Sequence, residues 1–387
     1  MICLKEEVLK KYKKYIELCS NNESDYMPDS FIKYIHNDYL DNGMIRLENP
    51  LYATWDITNY CNLNCIFCSA SAKCYKGIVD DKNVEKIAQK IIDFGVKYVS
   101  IRGGEPMIVK QLPNAINMFV KAGVFVEIVS NGTGFNKCFF DKIKQCNKNL
   151  IRIKISLDST IAEKNDKIRG KGSYENAINS MENCAKYGWS YRIQMVVVNS
   201  NKDEIVDMYN LAVKKGATSF GIYLVLPFGR GSRIDTVEID EDLLDQVLYI
   251  QEHQTTTKFE KFALGLDDFR FFPYLYNKID VDDEFAEKIF VLKCNGGKTR
   301  INIDQNGDCY PCDLMKYNEF KMGNILCDDF DEIWDSDAVA RFNSIRRGNK
   351  NKCKYCKYKN CNTGCLAMNY SSDVSLENQV PNCEIIK

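Results

Sequence analysis

Between Leu51 and about Arg233, short apolar β-rich runs alternate with amphipathic stretches. The repeat is roughly 30 residues, the size of one strand–helix–strand unit. The runs Ala53–Ile57, Tyr98–Ile101, Val124–Val129, Ile151–Leu157, Tyr191–Val198 and Phe220–Leu226 are predicted strands. Helical spacing of apolar residues appears between them at Val84–Phe94, Leu112–Lys121, Tyr174–Tyr187 and Glu204–Lys215. Gly95, Gly123, Gly188 and Gly216 each follow one of these helices, where a left-handed residue ends a helix most easily. Alternating strands and helices imply parallel pairing with right-handed crossovers. Six units fall short of the roughly 250 residues of a closed eight-unit barrel. The expected class is therefore α/β, a partial (β/α)6 TIM-like barrel over residues 50–233. A doubly wound sheet is the alternative left open by the pattern.

The flanks differ. Residues 1–49 read as a helical N-terminal segment, with a charged amphipathic helix from about Leu4 to Cys19 and a polar break at Asn21–Ser24. Residues 234–293 are charged and aromatic, with helical spacing at Leu243–Gln251, and read as a helical bridge. From Cys294 to Lys387 the chain carries hairpin signals (Asn306-Gly307, Gly323-Asn324), then a tail dense in lysine and cysteine. This last segment is expected to be a small, loop-rich domain that leans on metal for stability.

Charge narrows the function classes. Lys plus Arg number 52 against 53 Asp plus Glu, so no basic face for nucleic acid is expected. No apolar run reaches the roughly 18 residues that span a bilayer, and the N-terminus lacks the apolar core of a signal peptide. A cytoplasmic protein is expected. The chain nevertheless holds 18 cysteines and 2 histidines. A reducing cytosol discourages structural disulfides, so clustered thiols there point to metal or redox chemistry. With so little histidine, the ligation must be almost wholly thiolate, which suits zinc or iron–sulfur clusters.

Cys61, Cys65 and Cys68 follow directly on the first predicted strand, with the spacing C-x-x-x-C-x-x-C. Loops after barrel strands form the catalytic face. Three thiolates in such a loop hold three irons of a four-iron cluster and leave the fourth open to a ligand. A three-thiolate zinc site or plain core cysteines are the other readings. The loop, with Phe67 before the last cysteine, resembles that of radical S-adenosylmethionine (radical SAM) enzymes. The resemblance implies a [4Fe-4S] cluster whose open iron binds SAM, which on reduction yields a 5′-deoxyadenosyl radical. Gly103-Gly104-Glu105-Pro106 resembles the family's GGEP motif, with the glycines permitting close backbone approach to a ligand and Glu105 accepting from the SAM ammonium. Ser130-Asn131-Gly132 and Ser156-Leu157-Asp158 end the third and fourth strands. Ser156 and Arg169 match the positions that hold the SAM ribose and carboxylate, although Arg169 also reads as a solvated loop arginine. Pro227-Phe228-Gly229-Arg230-Gly231 reads either as a substrate-side lining or as a plain turn.

The tail resembles the SPASM extension of the same enzymes. It carries Cys294, Gly307 and Cys312, then Cys353-x-x-Cys356-x₄-Cys361-x₃-Cys365 and Cys383, with Gly323-Asn324-Ile325 and Glu332-Ile333-Trp334 between. The x₄ spacing departs from the family's usual five. The resemblance implies two auxiliary [4Fe-4S] clusters, the first on Cys294, Cys312 and Cys365, the second on Cys353, Cys356, Cys361 and Cys383. Cys309 is either the fourth ligand of the first cluster or a bystander to an open iron. A zinc-ribbon pair also fits the spacing. Asp313, next to Cys312, matches a carboxylate that acts as base in sulfatase-maturing relatives, and it also reads as a turn residue capping Leu314. Cys74, Cys138, Cys146, Cys184 and Cys327 read as small core residues. The basic stretch from Arg346 to Lys359 reads as a solvated face, or as a dock for an acidic ferredoxin or flavodoxin.

Enzymes with this extension mostly modify peptides, so the expected substrate is a ribosomally made precursor peptide that receives a thioether or carbon–carbon crosslink, or a side-chain oxidation. The first 49 residues are too few for a leader-binding domain. The alternatives are a small molecule such as a tetrapyrrole side chain, sulfatase maturation and, outside enzymes, a zinc-thiolate interaction module.

Overall fold

The computed structural model describes residues 48–253, 263–266, 296–345, 365 and 367. The predicted N-terminal helices lie outside these residues, as do Cys294, Cys353, Cys356, Cys361, Cys383 and the basic stretch 346–359.

The six predicted strands are all present: β1 (Tyr52–Thr58), β2 (Tyr98–Gly103), β3 (Phe125–Ser130), β4 (Ile151–Ser156), β5 (Tyr191–Val197) and β6 (Ser219–Leu224). They pair in parallel and in chain order. The predicted helices become α1 (Val84–Asp93), α2 (Leu112–Lys121), α5 (Ser173–Lys186) and α6 (Ile205–Lys215). Two further helices, α3 (Lys137–Ile143) and α4 (Ala162–Arg169), follow β3 and β4. Gly95, Gly123, Gly188 and Gly216 have φ between +68° and +78°, as the cap reading requires. Helix α7 (Glu241–Glu252) covers the helical spacing of the bridge and is opened by Asp240, which accepts from Leu243 N at 3.0 Å.

One strand was not foreseen. β7 (Ala263–Leu266) pairs in parallel with β6. Its sequence, Ala-Leu-Gly-Leu, is too short and too poor in β-branched residues to stand out from a charged, aromatic stretch. At the opposite edge, β8 (Arg300–Ile303) pairs in parallel with β1, and β9 (Asp308–Tyr310) and β10 (Gly323–Asn324) extend the sheet antiparallel. The sheet runs β10-β9-β8-β1-β2-β3-β4-β5-β6-β7 and does not close. It is a partial barrel, and two helices, α8 (Phe330–Trp334) and α9 (Asp337–Ile345), follow it.

Alternation along the strands gives the sheet two unlike faces. Trp55, Ile57, Val99, Ile101, Val126, Ile128, Ile153 and Ile155 are buried in one core with the apolar stripes of the helices. In α1 that stripe is Val84, Ile87, Ala88 and Ile91, and in α2 it includes Leu112, Ala115, Ile116 and Phe119. The other face carries Thr54, Asp56, Ser100, Glu127, Lys154 and Asn302, all buried and polar. There Lys154 pairs with Glu127 at 2.9 Å and Ser100 donates to the same carboxylate at 3.2 Å. The buried Lys154 and Glu127 are thus matched to each other, as a low-dielectric interior demands.

Candidate active site

The three cysteines of the first loop stand at the strand ends where the barrel's catalytic face belongs, and four separate strand-end segments hold that loop. From β2, Gly104 N donates to Thr58 O at 2.7 Å and Glu105 N to Tyr60 O at 2.8 Å. A Cβ on Gly103 would lie 2.3 Å from Thr58 O, and one on Gly104 would lie 1.8 Å from Tyr60 O. The close approach that the glycine pair permits is therefore to the backbone leading into the cysteines. From β3, Asn131 donates to Asn62 Oδ1 at 2.8 Å and lies 3.9 Å from Cys61 Sγ. From α4, Ile168 O accepts from Ile66 N at 3.0 Å. From β6, Arg230 donates to Cys65 O at 2.8 Å and Ala72 O at 3.1 Å, while its own N–H reaches Cys68 O at 3.0 Å. Side chains on Gly229 or Gly231 would meet backbone oxygens of residues 67–69 and 226. The segment 227–231 thus clasps the cysteine loop, which neither of its sequence readings anticipated.

Glu105 is almost fully buried. It accepts from Ser130 Oγ at 2.7 Å, Asn131 N at 2.8 Å and Met107 N at 3.0 Å. Burial outweighs these bonds and raises its pKa to about 7. An ionised carboxylate has about four acceptor positions, so one remains for an ammonium donor. Ser156 ends β4, buried, with Gln194 of β5 alongside. Arg169 is 5% exposed, which removes the solvated-loop reading. Its guanidinium pairs with the buried Asp158 through Nε at 2.5 Å and Nη2 at 3.0 Å, and it lies 5.2 Å from the centre of the Phe67 ring. The sequence named Asp158 only as a strand-end residue. Its pairing with Arg169 across eleven positions is tertiary and had no local signal.

The thiols suit a cationic guest. Burial, the largest cause, with Glu105 and the neighbouring thiols adding to it, pushes Cys61 up to about 12. Burial likewise raises Cys65, against an opposing pull from Arg169. Such groups become thiolates only when positive charge arrives at the sulfurs, as iron would supply. Among the described residues no group of three or more His, Cys, Asp or Glu side chains converges as a metal site.

In the tail, Cys309 is fully buried in the main core, and burial pushes its thiol up strongly. Cys312 and Cys365 pack instead against a second apolar cluster of Phe228, Met315, Phe320, Phe342 and Ala367. Cys309, read as either a fourth ligand of the first cluster or a bystander, thus packs with a different apolar cluster from Cys312 and Cys365. Asp313 lies between two guanidiniums. It is gripped by Arg102 Nη2 and by Arg300 Nη2, the latter at 2.5 Å, and the two guanidiniums hold its carboxyl far below the usual range despite burial. A carboxylate so held is a weak proton acceptor. Nearby, Asp56 pairs with Arg102 at 3.5 Å and with Lys316, and accepts from Asn302 at 3.2 Å. Of the five cysteines read as small core residues, Cys184 is fully buried in the core. Cys74, Cys138 and Cys327 are exposed and Cys146 is half-buried, correcting that expectation.

Residues 55–212 match the radical SAM superfamily, and residues 294–362 match the SPASM iron–sulfur cluster-binding domain. The chain is a radical SAM enzyme with a SPASM extension. Its cofactors follow from the two domains: a SAM-binding [4Fe-4S] cluster, SAM, and auxiliary clusters in the extension. This radical SAM enzyme is 28% identical over 342 residues to mycofactocin maturase MftC of Mycobacterium ulcerans, covering 87% of the chain and 88% of the relative. It is 25% identical over 349 residues to an AdoMet-dependent heme synthase of Methanosarcina barkeri, covering 88% and 98%. Its fold is shared by Streptococcus suis SuiB bound to S-adenosylmethionine, with a TM-score of 0.71 at 21% identity over 97% of this chain and 88% of that one. SuiB bound to its precursor peptide SuiA gives a TM-score of 0.70 at 22% identity, covering 92% and 79%. No helix among the described residues is long and apolar enough to cross a membrane.

Proposed function

We propose that this radical SAM enzyme modifies a ribosomally made precursor peptide, forming a crosslink or oxidising a side chain. The observation that carries the reading is the match to MftC, a maturase by name, along nearly the whole of both chains. When bound, the cluster and SAM supply one-electron chemistry that ends in hydrogen-atom abstraction from the substrate. The chain's own part is positioning. Cys61, Cys65 and Cys68 would hold the cluster, and Glu105, Ser156 and the Arg169–Phe67 stack would line the SAM side. Cys312 and Cys365, with Cys294, would serve the first auxiliary cluster, and Cys353, Cys356, Cys361 and Cys383 the second. Asp313 would act as an anchor that fixes the Cys312 segment against β2 and β8. A ferredoxin or flavodoxin would supply electrons.

The heme synthase match, at 25% identity over 98% of that relative, favours a second reading in which the substrate is a tetrapyrrole side chain. Anaerobically reconstituted enzyme, given dithionite and SAM, is offered either any short peptide found encoded beside its gene or an iron tetrapyrrole bearing carboxylate side chains. A mass loss in the peptide, with 5′-deoxyadenosine formed in step, supports the first reading. Turnover of the tetrapyrrole alone replaces it with the second. A zinc-loaded protein that makes no 5′-deoxyadenosine overturns both.

A further inference from the structure

The turn after β3 is built more tightly than a chain reversal requires. Gly132 has φ +89°, and a Cβ there would lie 2.7 Å from Ala177 Cα, so the turn is pressed onto α5. Ser180 donates to Gly132 O, and Ser130 Oγ accepts from Gly132 N at 3.1 Å while donating to Glu105. Asn131, 6% exposed, is fixed at the centre of this turn. Its N–H goes to Glu105 Oε2 at 2.8 Å and its Oδ1 accepts from Thr133 N at 3.0 Å. Its amide Nδ2 is turned to the cysteine loop. Nδ2 donates to Asn62 Oδ1 at 2.8 Å and stands 3.9 Å from Cys61 Sγ. Asn62 in turn donates to Thr133 Oγ1 at 2.8 Å, closing a ring of three side chains around the first cysteine. The backbone adds Leu63 N, which donates to the same sulfur at 3.4 Å.

We propose that Asn131 is a positioning residue for Cys61 and an N–H donor to its sulfur, and that it thereby sets the reduction potential of the SAM-binding cluster. The inference rests on the reading that Cys61, Cys65 and Cys68 hold that cluster. Hydrogen bonds to cluster sulfurs are among the levers that set such potentials. A donor stabilises the more negatively charged reduced state, so removing it makes the cluster harder to reduce. Replacing it by a carboxylate adds negative charge and pushes in the same direction.

The test uses full-length enzyme reconstituted anaerobically, comparing wild type with Asn131→Ser, Asn131→Asp and Thr133→Val. The signal followed is the reduced-cluster resonance that changes when SAM is added, with Cys65→Ser marking its absence. Both Asn131 variants should keep their iron and titrate at a more negative midpoint potential, Asp further than Ser. Thr133→Val, which loosens Asn62 without touching the donor, should shift less than either. An unchanged midpoint in iron-replete Asn131 variants overturns the proposal. So does loss of the cluster from both, which would make the residue a scaffold for the loop. An unchanged midpoint with weakened SAM binding would instead make Asn131 a SAM contact, again overturning it. If wild type shows no SAM-responsive signal, the assignment of the three cysteines fails first.

Discussion

At Gly104 one added carbon meets backbone. The Cβ of Gly104→Ala would lie 1.8 Å from Tyr60 O, and a carbonyl within a four-sided clasp cannot move aside as a side-chain tip can. Gly123 offers the contrast, since its φ is positive (+75°), which Gly104's is not, and a Cβ there meets nothing within 4 Å. Gly123→Ala should cost about 1–2 kcal/mol in urea unfolding, the strain of a left-handed alanine. Gly104→Ala should cost more than about 4 kcal/mol, in the range that marks a clash in a packed site, and should lose iron from the first loop. Equal costs would show that the Gly104 contact yields. Glu105 gives a pH signature. Its pKa rises from 4.5 unfolded to about 7 folded, so between those values the folded state binds the extra proton. Stability from this group is therefore fully present below pH 4.5 and declines as pH rises through 7, by roughly 3 kcal/mol. Glu105→Gln should remove that slope from the pH profile of unfolding, even though the amide fits its donors less well. At this scale the cysteine spacing and the GGEP run were readable because both are local. The partners of Glu105, Arg169 and Asp313 were not, since Asn131 and Arg300 come from other strands and Asp158 meets Arg169 only once α4 folds back on the end of β4.

Among the elements, the six strands and four main helices could be read because their periodicity repeats and a glycine closes each helix. β7 could not, and neither could the placement of β8, because edge pairing depends on which strand end is left open. That placement decides the role of Asp313. β8 brings Arg300 level with Tyr52 of β1, β2 brings Arg102, and the carboxylate bridges them beside Cys312. Asp313→Asn should destabilise the fold by roughly 1–3 kcal/mol, the scale of hydrogen bonds to charged groups. It should leave substrate-independent SAM cleavage intact. If Asp313 anchors, product formation falls equally across pH; if it were a base, the loss would disappear at high pH. Cys309, the middle residue of β9 and the partner of Ile303 on β8, lies in the main core with Met322 and Ile325. Cys309→Ala should accordingly retain all the iron that the wild type holds, whereas Cys312→Ala should lose some.

For the molecule as a whole, the composition break at Cys294 suggested a tail held together by metal, yet its first half shares the barrel's core. Ile301, Ile303, Met322, Ile325, Ile333, Trp334 and Val339 belong to the same buried cluster as Trp55 and Val99, and the Phe330 ring packs on Phe94 at 4.7 Å. β8 also satisfies the edge of β1, the strand that leads into the cysteines. Apolar burial of this kind is worth about 1.5–3 kcal/mol per large side chain, and an unpaired, apolar strand edge invites association. A chain cut after residue 293 should therefore not behave as a free-standing radical SAM barrel. It should elute as aggregates, show little near-ultraviolet circular dichroism and fail to hold a SAM-responsive cluster. A chain cut after residue 345 keeps β8 to α9 and should remain monomeric, unfold cooperatively and retain that cluster while losing auxiliary iron. If the shorter chain proves monomeric with a sharp unfolding transition, then the shared core is dispensable and the two halves fold independently. The pair of truncations separates two contributions, since the packing described on the barrel core comes from residues before 345 and most of the auxiliary thiols lie after it.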